Sequence, residues 1–161
     1  MVKPALPSSA IDVLILCGGQ GTRLRGVLKD RPKALARIGD HTFLDLLIDD
    51  LKAQGFRRFI LSVGHLREHI IDYVNKTRKH DSAEFVFSEE ELPLGTGGAV
   101  KRAELYITSD PFLVLNGDSI CPTDFAKFLA FHVERRGIIS LLLATPRTPP
   151  DYGAVNVDDE G

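Results

Sequence analysis

The sequence contains little of what several protein classes require. Its 161 residues include only two cysteines, Cys17 and Cys121, and no CxxC spacing. A disulfide framework and a structural zinc site are therefore not expected. No apolar run approaches the length of a membrane span. Residues 1–9 hold two prolines and one lysine but not the apolar stretch of a signal peptide, so we expect a cytoplasmic protein.

A strong charge of either sign is also missing. Charged residues make up 26% of the chain and the formal net charge is −2, whereas a general nucleic-acid binder is usually basic. Hydrophobic residues make up 43%, which is enough to bury a core, and the length suits one domain. We therefore predict a single domain over residues 1–161 with neither nucleic acid nor a membrane as partner. Composition leaves the oligomeric state open, including a homo-oligomer.

Short apolar runs alternate with helical patterns along the chain. The apolar runs that predict strands cover residues 13–17, 59–63, 84–88, 112–116 and 138–144. Helical spacing of apolar residues covers 43–51, 66–74, 99–107 and 124–136. Strands buried on both faces and separated by helices are typical of a mostly parallel sheet with right-handed crossovers. We predict a Rossmann-like, three-layer α/β/α sandwich, which binds ligands beyond the carboxyl ends of its strands.

A glycine-rich segment, Gly-Gly-Gln-Gly-Thr-Arg-Leu at residues 18–24, directly follows the first predicted strand. Three glycines in four positions let the backbone approach a ligand closely and turn its N–H groups toward phosphate oxygens. The segment is not a P-loop, because no Lys-Thr or Lys-Ser follows at the required spacing. It is not the dinucleotide fingerprint either, because Leu24 occupies the place of the third glycine.

The chain then becomes basic. Six cations lie between residues 23 and 37, against one acidic residue, Asp30. In a chain of net charge −2, this concentration of positive charge favours a triphosphate partner over a solvated surface turn. Pro32 fixes the backbone just before Lys33 and would aim that lysine.

A second glycine cluster, Leu-Gly-Thr-Gly-Gly-Ala at residues 94–99, follows the strand 84–88 and opens a predicted helix. The N–H groups of a helix N-terminus suit a phosphorylated ligand, although a tight turn at a helix start is the alternative. Glu89, Glu90 and Glu91 form an acidic run close by. A carboxylate there could accept hydrogen bonds from N1–H and N2–H₂ of guanine, which uracil and thymine cannot match, or the three acids could simply be solvated.

Asn116, Gly117 and Asp118 end the strand 112–116. An aspartate at a strand end, beside a glycine, can hold Mg²⁺, and Mg²⁺ in turn bridges to phosphate oxygens. The same triplet is also good turn chemistry. The Asp-x-Asp metal motif of glycosyltransferases does not match, because Ile120 occupies the second position.

A literal match to the zinc-peptidase pattern HxxEH occurs at residues 65–69. On a helix, His65 and His69 would share a face and Glu68 could act as a base. No third ligand is evident, so these residues are better explained as the solvent-facing side of a helix. A zinc hydrolase is the enzyme alternative from a different class.

Together these motifs resemble the signature of the sugar-1-phosphate nucleotidylyltransferases. The resemblance rests on residues 18–24 with Pro32-Lys33, on Pro-Leu-Gly-Thr-Gly-Gly-Ala at 93–99 and on Leu-Asn-Gly-Asp at 115–118. It implies Mg²⁺-dependent transfer of a nucleotidyl group from an NTP to a sugar 1-phosphate. Within the family, these motifs, together with Phe-Ile-Leu-Ser-Val-Gly at 59–64, are most similar to those of the D-glycero-D-manno-heptose 1-phosphate guanylyltransferases, which implies GTP and that sugar. Mannose-1-phosphate guanylyltransferases and uridylyl- or thymidylyltransferases are the alternatives.

The resemblance also implies roles for individual residues. Catalytic roles fall on Arg23, Lys33 and Asp118, with Asp118 as the Mg²⁺ ligand. Nucleotide binding falls on Gly18, Gly19, Gly21, Thr22, Gly95, Thr96 and Gly98, and the cluster at 94–99 is the part that contacts the base and ribose. Substrate binding falls on Asn116, Tyr152 and Gly153.

The family usually has a longer chain, whose C-terminal part supplies a lysine for the sugar phosphate and a second aspartate for the metal. Asp158 and Asp159 follow Tyr152 too soon to be assigned as that second ligand. The resemblance thus implies a domain that lacks its C-terminal sugar-binding part. The non-enzyme alternative is a homologue that binds nucleotide without turnover.

Overall fold

A computed structural model describes residues 7–19, 31–144 and 155–157. Within these residues, four strands form one sheet, two short strands form a separate antiparallel pair, and four α-helices flank the sheet. The sheet strands are β1 (Asp12–Leu16), β4 (Arg58–Val63), β5 (Glu84–Glu89) and β6 (Leu113–Asn116), and the pair is β2 (Arg37–Ile38) with β3 (His41–Thr42). The helices are α1 (Phe43–Ala53), α2 (Arg67–Thr77), α3 (Gly95–Ala103) and α4 (Phe125–Arg135).

All neighbouring strands of the sheet are parallel, in the spatial order β5-β4-β1-β6. The chain runs outward from β1 to β4 and β5, crossing through α1 and α2. It then returns through α3 and places β6 on the other side of β1. The direction of winding therefore reverses between β1 and β6, which creates a crevice at the carboxyl ends of these two strands.

The helices cover both faces of the sheet, so the predicted three-layer α/β/α sandwich is confirmed. Buried residues of α1, α2 and α4 pack with Val13, Ile15, Phe59 and Leu61 on one face. Residues of α3, including Ala103, pack with Leu14 and Ile60 on the other. The central strands are buried on both faces, which explains their continuous apolar runs.

Local signals fix the ends of two predicted helices. Thr42 and Asp45 form a capping box that begins α1, and Gly55, with φ +97°, follows its end. The side chain of Asp124 accepts the backbone N–H of Lys127 at 3.1 Å and begins α4. The helices predicted at 43–51 and 124–136 are thereby confirmed.

The carboxylate of Asp45 also ties α1 to α2. It accepts hydrogen bonds from the hydroxyl of Tyr73 and, at 2.7 Å, from the guanidinium of Arg78. Burial alone would raise the pKa of Asp45, but hydrogen bonds from Tyr73 and Thr42 outweigh it and, with Arg78, lower the pKa to about 2. The carboxylate is therefore ionised at neutral pH and holds the start of α1 in place.

Two sequence predictions need correction. The helix predicted at 99–107 begins earlier, at Gly95, and its last turn is a 3₁₀ segment, Glu104–Tyr106. The strand predicted at 138–144 is wrong, because this run forms no strand and Ile138 is 98% exposed. An apolar run becomes a strand only where a neighbour pairs with it, which composition alone does not reveal.

In the described part of the chain, none of the helices combines the length and the apolar character needed to cross a membrane.

Candidate functional site

A cavity of about 290 Å³ lies where the crevice between β1 and β6 was expected. It is bounded by the segments that follow these two strands, by the 3₁₀ turn Lys33–Leu35 and by the start of α3. Seven of the residues predicted from the sequence line it, namely Gly18, Gly19, Lys33, Gly95, Thr96, Asn116 and Asp118. Residues that are far apart in sequence are thus brought to one edge of the sheet.

The end of β6 fits against the end of β1 only because residue 117 is glycine. A Cβ atom on Gly117 would lie 2.7 Å from Cys17 Sγ and 2.9 Å from the carbonyl oxygen of Leu16, both shorter than real contacts. The backbone N–H of Gly117 donates to that same carbonyl at 2.9 Å. This close packing fixes where the next residue, Asp118, leaves the strand.

Lys33 and Asp118 meet in the cavity. Lys33 Nζ lies 3.5 Å from Asp118 Oδ2, with 29% of the lysine side chain and 49% of the aspartate side chain exposed. A pair that solvent reaches this easily contributes at most about 1 kcal/mol to stability. The pair therefore places a cation beside a carboxylate at the mouth of the crevice and does little to hold the fold together.

The backbone that presents Lys33 is well anchored. Ala34 and Leu35, the next two residues, are buried in the main core. The carbonyl of Ala36 accepts the backbone N–H of Phe43, the first residue of α1, at 2.9 Å. The anchored backbone therefore fixes where the side chain of Lys33 enters the cavity.

Glu90 is a nearly buried carboxylate that follows β5 directly, and 8% of the residue is exposed. Its Oε1 accepts the hydroxyl of Ser62 at 2.8 Å and its Oε2 accepts the backbone N–H of Leu94 at 3.2 Å. Each carboxylate oxygen has two acceptor sites, so each keeps acceptor capacity, and Glu90 lines the cavity. A Cβ atom on Gly18 would lie 3.5 Å from Glu90 Oε1, which shows how closely the backbone after β1 approaches this carboxylate.

The second glycine cluster forms the start of α3. Gly95 has φ +71°, a left-handed conformation that favours glycine, and together with Thr96 it lines the cavity. Gly98, two residues after Thr96, is absent from the cavity wall. A Cβ atom there would lie 2.7 Å from Leu94 Cβ, so the first turn of α3 can pack against Leu94 only because residue 98 is glycine.

A second cavity, of about 410 Å³, adjoins the first. Gly18, Glu90 and Pro93 line both cavities, so the carboxylate of Glu90 lies on their shared wall. The far side of the second cavity includes His65 and Arg67, at the start of α2. The candidate site therefore has two adjoining compartments, one containing Lys33 and Asp118 and the other reaching from Glu90 toward α2.

Cys17 lines the first cavity but is chemically quiet. Burial, assisted by the negative charge of Asp118, raises the pKa of the Cys17 thiol to about 12. Since the thiolate is the nucleophile, a thiol that remains protonated at neutral pH is unreactive. This agrees with the packing role of Cys17 against Gly117.

Five of the predicted site residues lie outside the described part of the chain: Gly21, Thr22, Arg23, Tyr152 and Gly153.

One residue of the site was not predicted from the sequence. Ser62 lines the first cavity, and its hydroxyl donates to Glu90. A serine within the otherwise apolar strand segment 59–63 was the available signal for it.

The HxxEH pattern does not form a zinc site in the described residues. Helix α2 begins at Arg67, so His65 precedes the helix and does not share a helical face with His69, contrary to expectation. Leu66 between them has φ +57°, which turns the chain before the helix starts. The described residues contain no group of three or more His, Cys, Asp or Glu side chains arranged to bind a metal.

Most of this chain matches the sequence model of a known protein family. A family model named "Nucleotidyl transferase" matches residues 12–161. The chain belongs to the nucleotidyl transferase family. The match covers the sheet, both cavities and every motif that led to the sequence prediction, so the predicted family is confirmed.

Two curated relatives illustrate this nucleotidyl transferase relationship. The D-glycero-alpha-D-manno-heptose 1-phosphate guanylyltransferase of Campylobacter jejuni is 36% identical over 150 residues, covering 93% of this chain and 65% of the relative. The mannose-1-phosphate guanyltransferase of Yarrowia lipolytica is 34% identical over 144 residues, covering 88% of this chain and 40% of the relative. The chain therefore spans less than two thirds of the length of the curated relatives it matches.

A solved structure gives the same relationship in three dimensions. HddC from Yersinia pseudotuberculosis, complexed with GMP-PN, matches with a TM-score of 0.70 and 43% sequence identity. The match covers 76% of this chain and 54% of that one. The nucleotidyl transferase fold assigned to this chain is thus shared with a protein that was crystallised with GMP-PN.

Proposed function

We propose that this chain is the nucleotide-binding part of a cytoplasmic sugar-1-phosphate nucleotidylyltransferase that uses GTP. The favoured acceptor is D-glycero-D-manno-heptose 1-phosphate, and mannose 1-phosphate is the alternative, because relatives with both names are similar to this chain. The observation that supports the proposal most directly is the meeting of Lys33 and Asp118, 3.5 Å apart, at the switch point of the sheet. A cation and a carboxylate at this position suit a metal-bound triphosphate.

The phosphates of GTP lie in the first cavity. Gly18 and Gly19 present backbone after β1 and Lys33 supplies positive charge, while Gly95 and Thr96 lie where the family resemblance implies contact with the base and ribose. From the sequence motif, Gly21, Thr22 and Arg23 complete the phosphate loop. Gly98 supports this surface by permitting the tight start of α3.

The side chains at the end of β6 suit Mg²⁺. Mg²⁺ prefers oxygen ligands and is usually bound by one or two carboxylates together with substrate phosphates and water. Asp118 offers such a carboxylate at the cavity, next to the lysine that would face the same phosphates. When bound, Mg²⁺ would offset the negative charge that develops on the phosphate oxygens.

The proposed reaction is an in-line displacement at the α-phosphorus of GTP. A phosphate oxygen of the sugar 1-phosphate forms the new P–O bond, and the bond to the β-phosphate breaks, so that pyrophosphate leaves with the electron pair. The protein contributes positioning and charge neutralisation. Lys33 and Arg23 neutralise negative charge, and the backbone of the glycine loop orients the phosphates.

The carboxylate of Glu90 is placed to select guanine. Ser62 and the backbone of Leu94 hold it at the wall between the two cavities, with acceptor capacity left on both oxygens. Guanine offers two adjacent donors, N1–H and N2–H₂, that match a carboxylate, whereas uracil and thymine do not. The solved relative with GMP-PN supports guanine as the base.

The proposed sugar side of the site begins at the end of β6. We propose that Asn116, together with Tyr152 and Gly153, begins the sugar pocket. Residues 1–161 would then belong to one nucleotidyl transferase domain. Sugar 1-phosphate and GTP are the proposed partners, and a homo-oligomer remains an open proposal.

Release of pyrophosphate tests the proposed function. The full chain is incubated with Mg²⁺, GTP and either heptose 1-phosphate or mannose 1-phosphate, and pyrophosphate is measured with a coupled assay. We expect release that requires the sugar phosphate, with GTP preferred over UTP, dTTP, CTP and ATP. GTP binding without release would favour the alternative, a nucleotide-binding homologue without turnover, and absence of both would overturn the proposal.

A further inference from the structure

Among the described residues, the second cavity contains one strongly basic side chain close to Glu90. Arg67, the first residue of α2, lines this cavity, and its Nη1 donates to the backbone carbonyl of Glu90 at 3.4 Å. An arginine and a nearly buried carboxylate thus share one compartment. Nothing in the phosphate chemistry of the first cavity uses this arginine.

The present contacts of Arg67 are weak enough to be exchanged for a ligand. Its Nε lies 3.2 Å from Glu68 Oε1 and 3.3 Å from Glu89 Oε2, and the side chains of these acids are 70% and 49% exposed, respectively. Exposed ion pairs of this kind contribute little to the free energy of unfolding. These contacts and the bond to the Glu90 carbonyl involve Nε and Nη1, while a guanidinium has five N–H donors in a rigid fork.

We infer that Arg67 is a base-selecting residue that donates to O6 of guanine, an inference that rests on the proposed function. Guanine presents an acceptor, O6, directly beside the N1–H donor assigned to Glu90. A planar arginine fork is a common partner for O6 and N7 of guanine. Arg67 supplies the donor for O6, and Glu90 supplies the acceptor for N1–H and N2–H₂.

The same pair discriminates against adenine. Adenine has an amino group where guanine has O6, and a bare ring nitrogen where guanine has N1–H. The amino group would face the N–H donors of Arg67, and the ring nitrogen would face the carboxylate of Glu90. A polar site of this kind rejects the wrong base by leaving its own groups unpaired.

Base analogues separate the two contacts. Binding of GTP, ITP and 2-aminopurine riboside triphosphate, each with Mg²⁺, is measured by calorimetry for the full chain and for Arg67→Ala. ITP lacks only the 2-amino group, and 2-aminopurine lacks O6 and N1–H. In the unsubstituted chain we expect GTP to bind most tightly. In Arg67→Ala the advantage of GTP over the 2-aminopurine nucleotide should fall about tenfold while its advantage over ITP is unchanged.

Two other variants show whether an effect of Arg67→Ala is specific to the base. Arg57→Ala is the matched control, because Arg57 donates to the backbone carbonyls of Lys52 and Phe56 and is absent from both cavity walls, so it should leave all affinities unchanged. Glu90→Gln should reduce the advantage of GTP over ITP, which Arg67→Ala should leave unchanged.

Three outcomes would overturn the inference or its basis. An equal loss of affinity for all three nucleotides in Arg67→Ala would mean that Arg67 does not read the base. If Arg67→Ala reduced only the affinity advantage of GTP over ITP, Arg67 would act only through Glu90. Failure of the unsubstituted chain to bind any of the nucleotides would overturn the proposed function itself and this inference with it.

Discussion

Asp118→Ala is expected to remove the Mg²⁺ dependence of GTP binding and to lower the rate of nucleotidyl transfer on the order of 10²–10³-fold, because a metal contributes several kcal/mol of charge stabilisation. Asp118 is the carboxylate at the end of β6; it lines the first cavity, and 49% of its side chain is exposed. Calorimetry with GTP, with and without Mg²⁺, measures the first effect. The pyrophosphate assay measures the second.

The matched control for this substitution is Asp72→Ala. Asp72 is an exposed residue of α2, absent from both cavity walls, so its loss should leave GTP binding and its Mg²⁺ dependence unchanged. If Asp118→Ala bound GTP with the same affinity and the same response to Mg²⁺ as the unsubstituted chain, Asp118 would not be the metal ligand.

Lys33→Ala is expected to weaken GTP binding about 10- to 100-fold, since a hydrogen bond to a charged group contributes about 1.5–3 kcal/mol. The loss should appear with and without Mg²⁺, because the lysine contacts phosphate directly. Stability should change by less than about 1 kcal/mol, because the ion pair with Asp118 is open to solvent. Urea unfolding and calorimetry on the same preparation separate the two quantities.

Lys76→Ala provides the comparison for Lys33→Ala. Lys76 is exposed in the last turn of α2, and neither cavity includes it, so removing its charge should not change GTP affinity. A loss of similar size in both variants would point to the overall charge of the chain rather than to a contact made by Lys33.

The fold and the position of the site could be predicted because their signals are local. Glycine and aspartate directly after apolar runs indicated which strand ends would meet, and the capping box at Thr42 marks where α1 begins. In a parallel sheet all carboxyl ends lie on one edge, so placing residues after strands also placed them near one another. Gly18 and Asp118, 100 positions apart in sequence, line one cavity for this reason.

Features that depend on contacts through space could not be predicted in the same way. The buried position of Glu90 within the acidic run follows from the hydroxyl of Ser62 on the neighbouring strand. The left-handed turn at Leu66 moves His65 off the helix that the HxxEH pattern required. The apolar run 138–144 had the composition of a buried strand, yet it lies exposed without a paired neighbour in the described residues.

The most direct test of the central claim is thermal stabilisation of the full chain by GTP, UTP, dTTP, CTP and ATP, each with and without Mg²⁺. A ligand that binds only the folded state adds about 2.7 kcal/mol of stability at 100 times its dissociation constant, which raises the melting temperature by several degrees. The account predicts such a rise with GTP, larger when Mg²⁺ is present, and smaller rises with the other four. No rise with any nucleotide would contradict it.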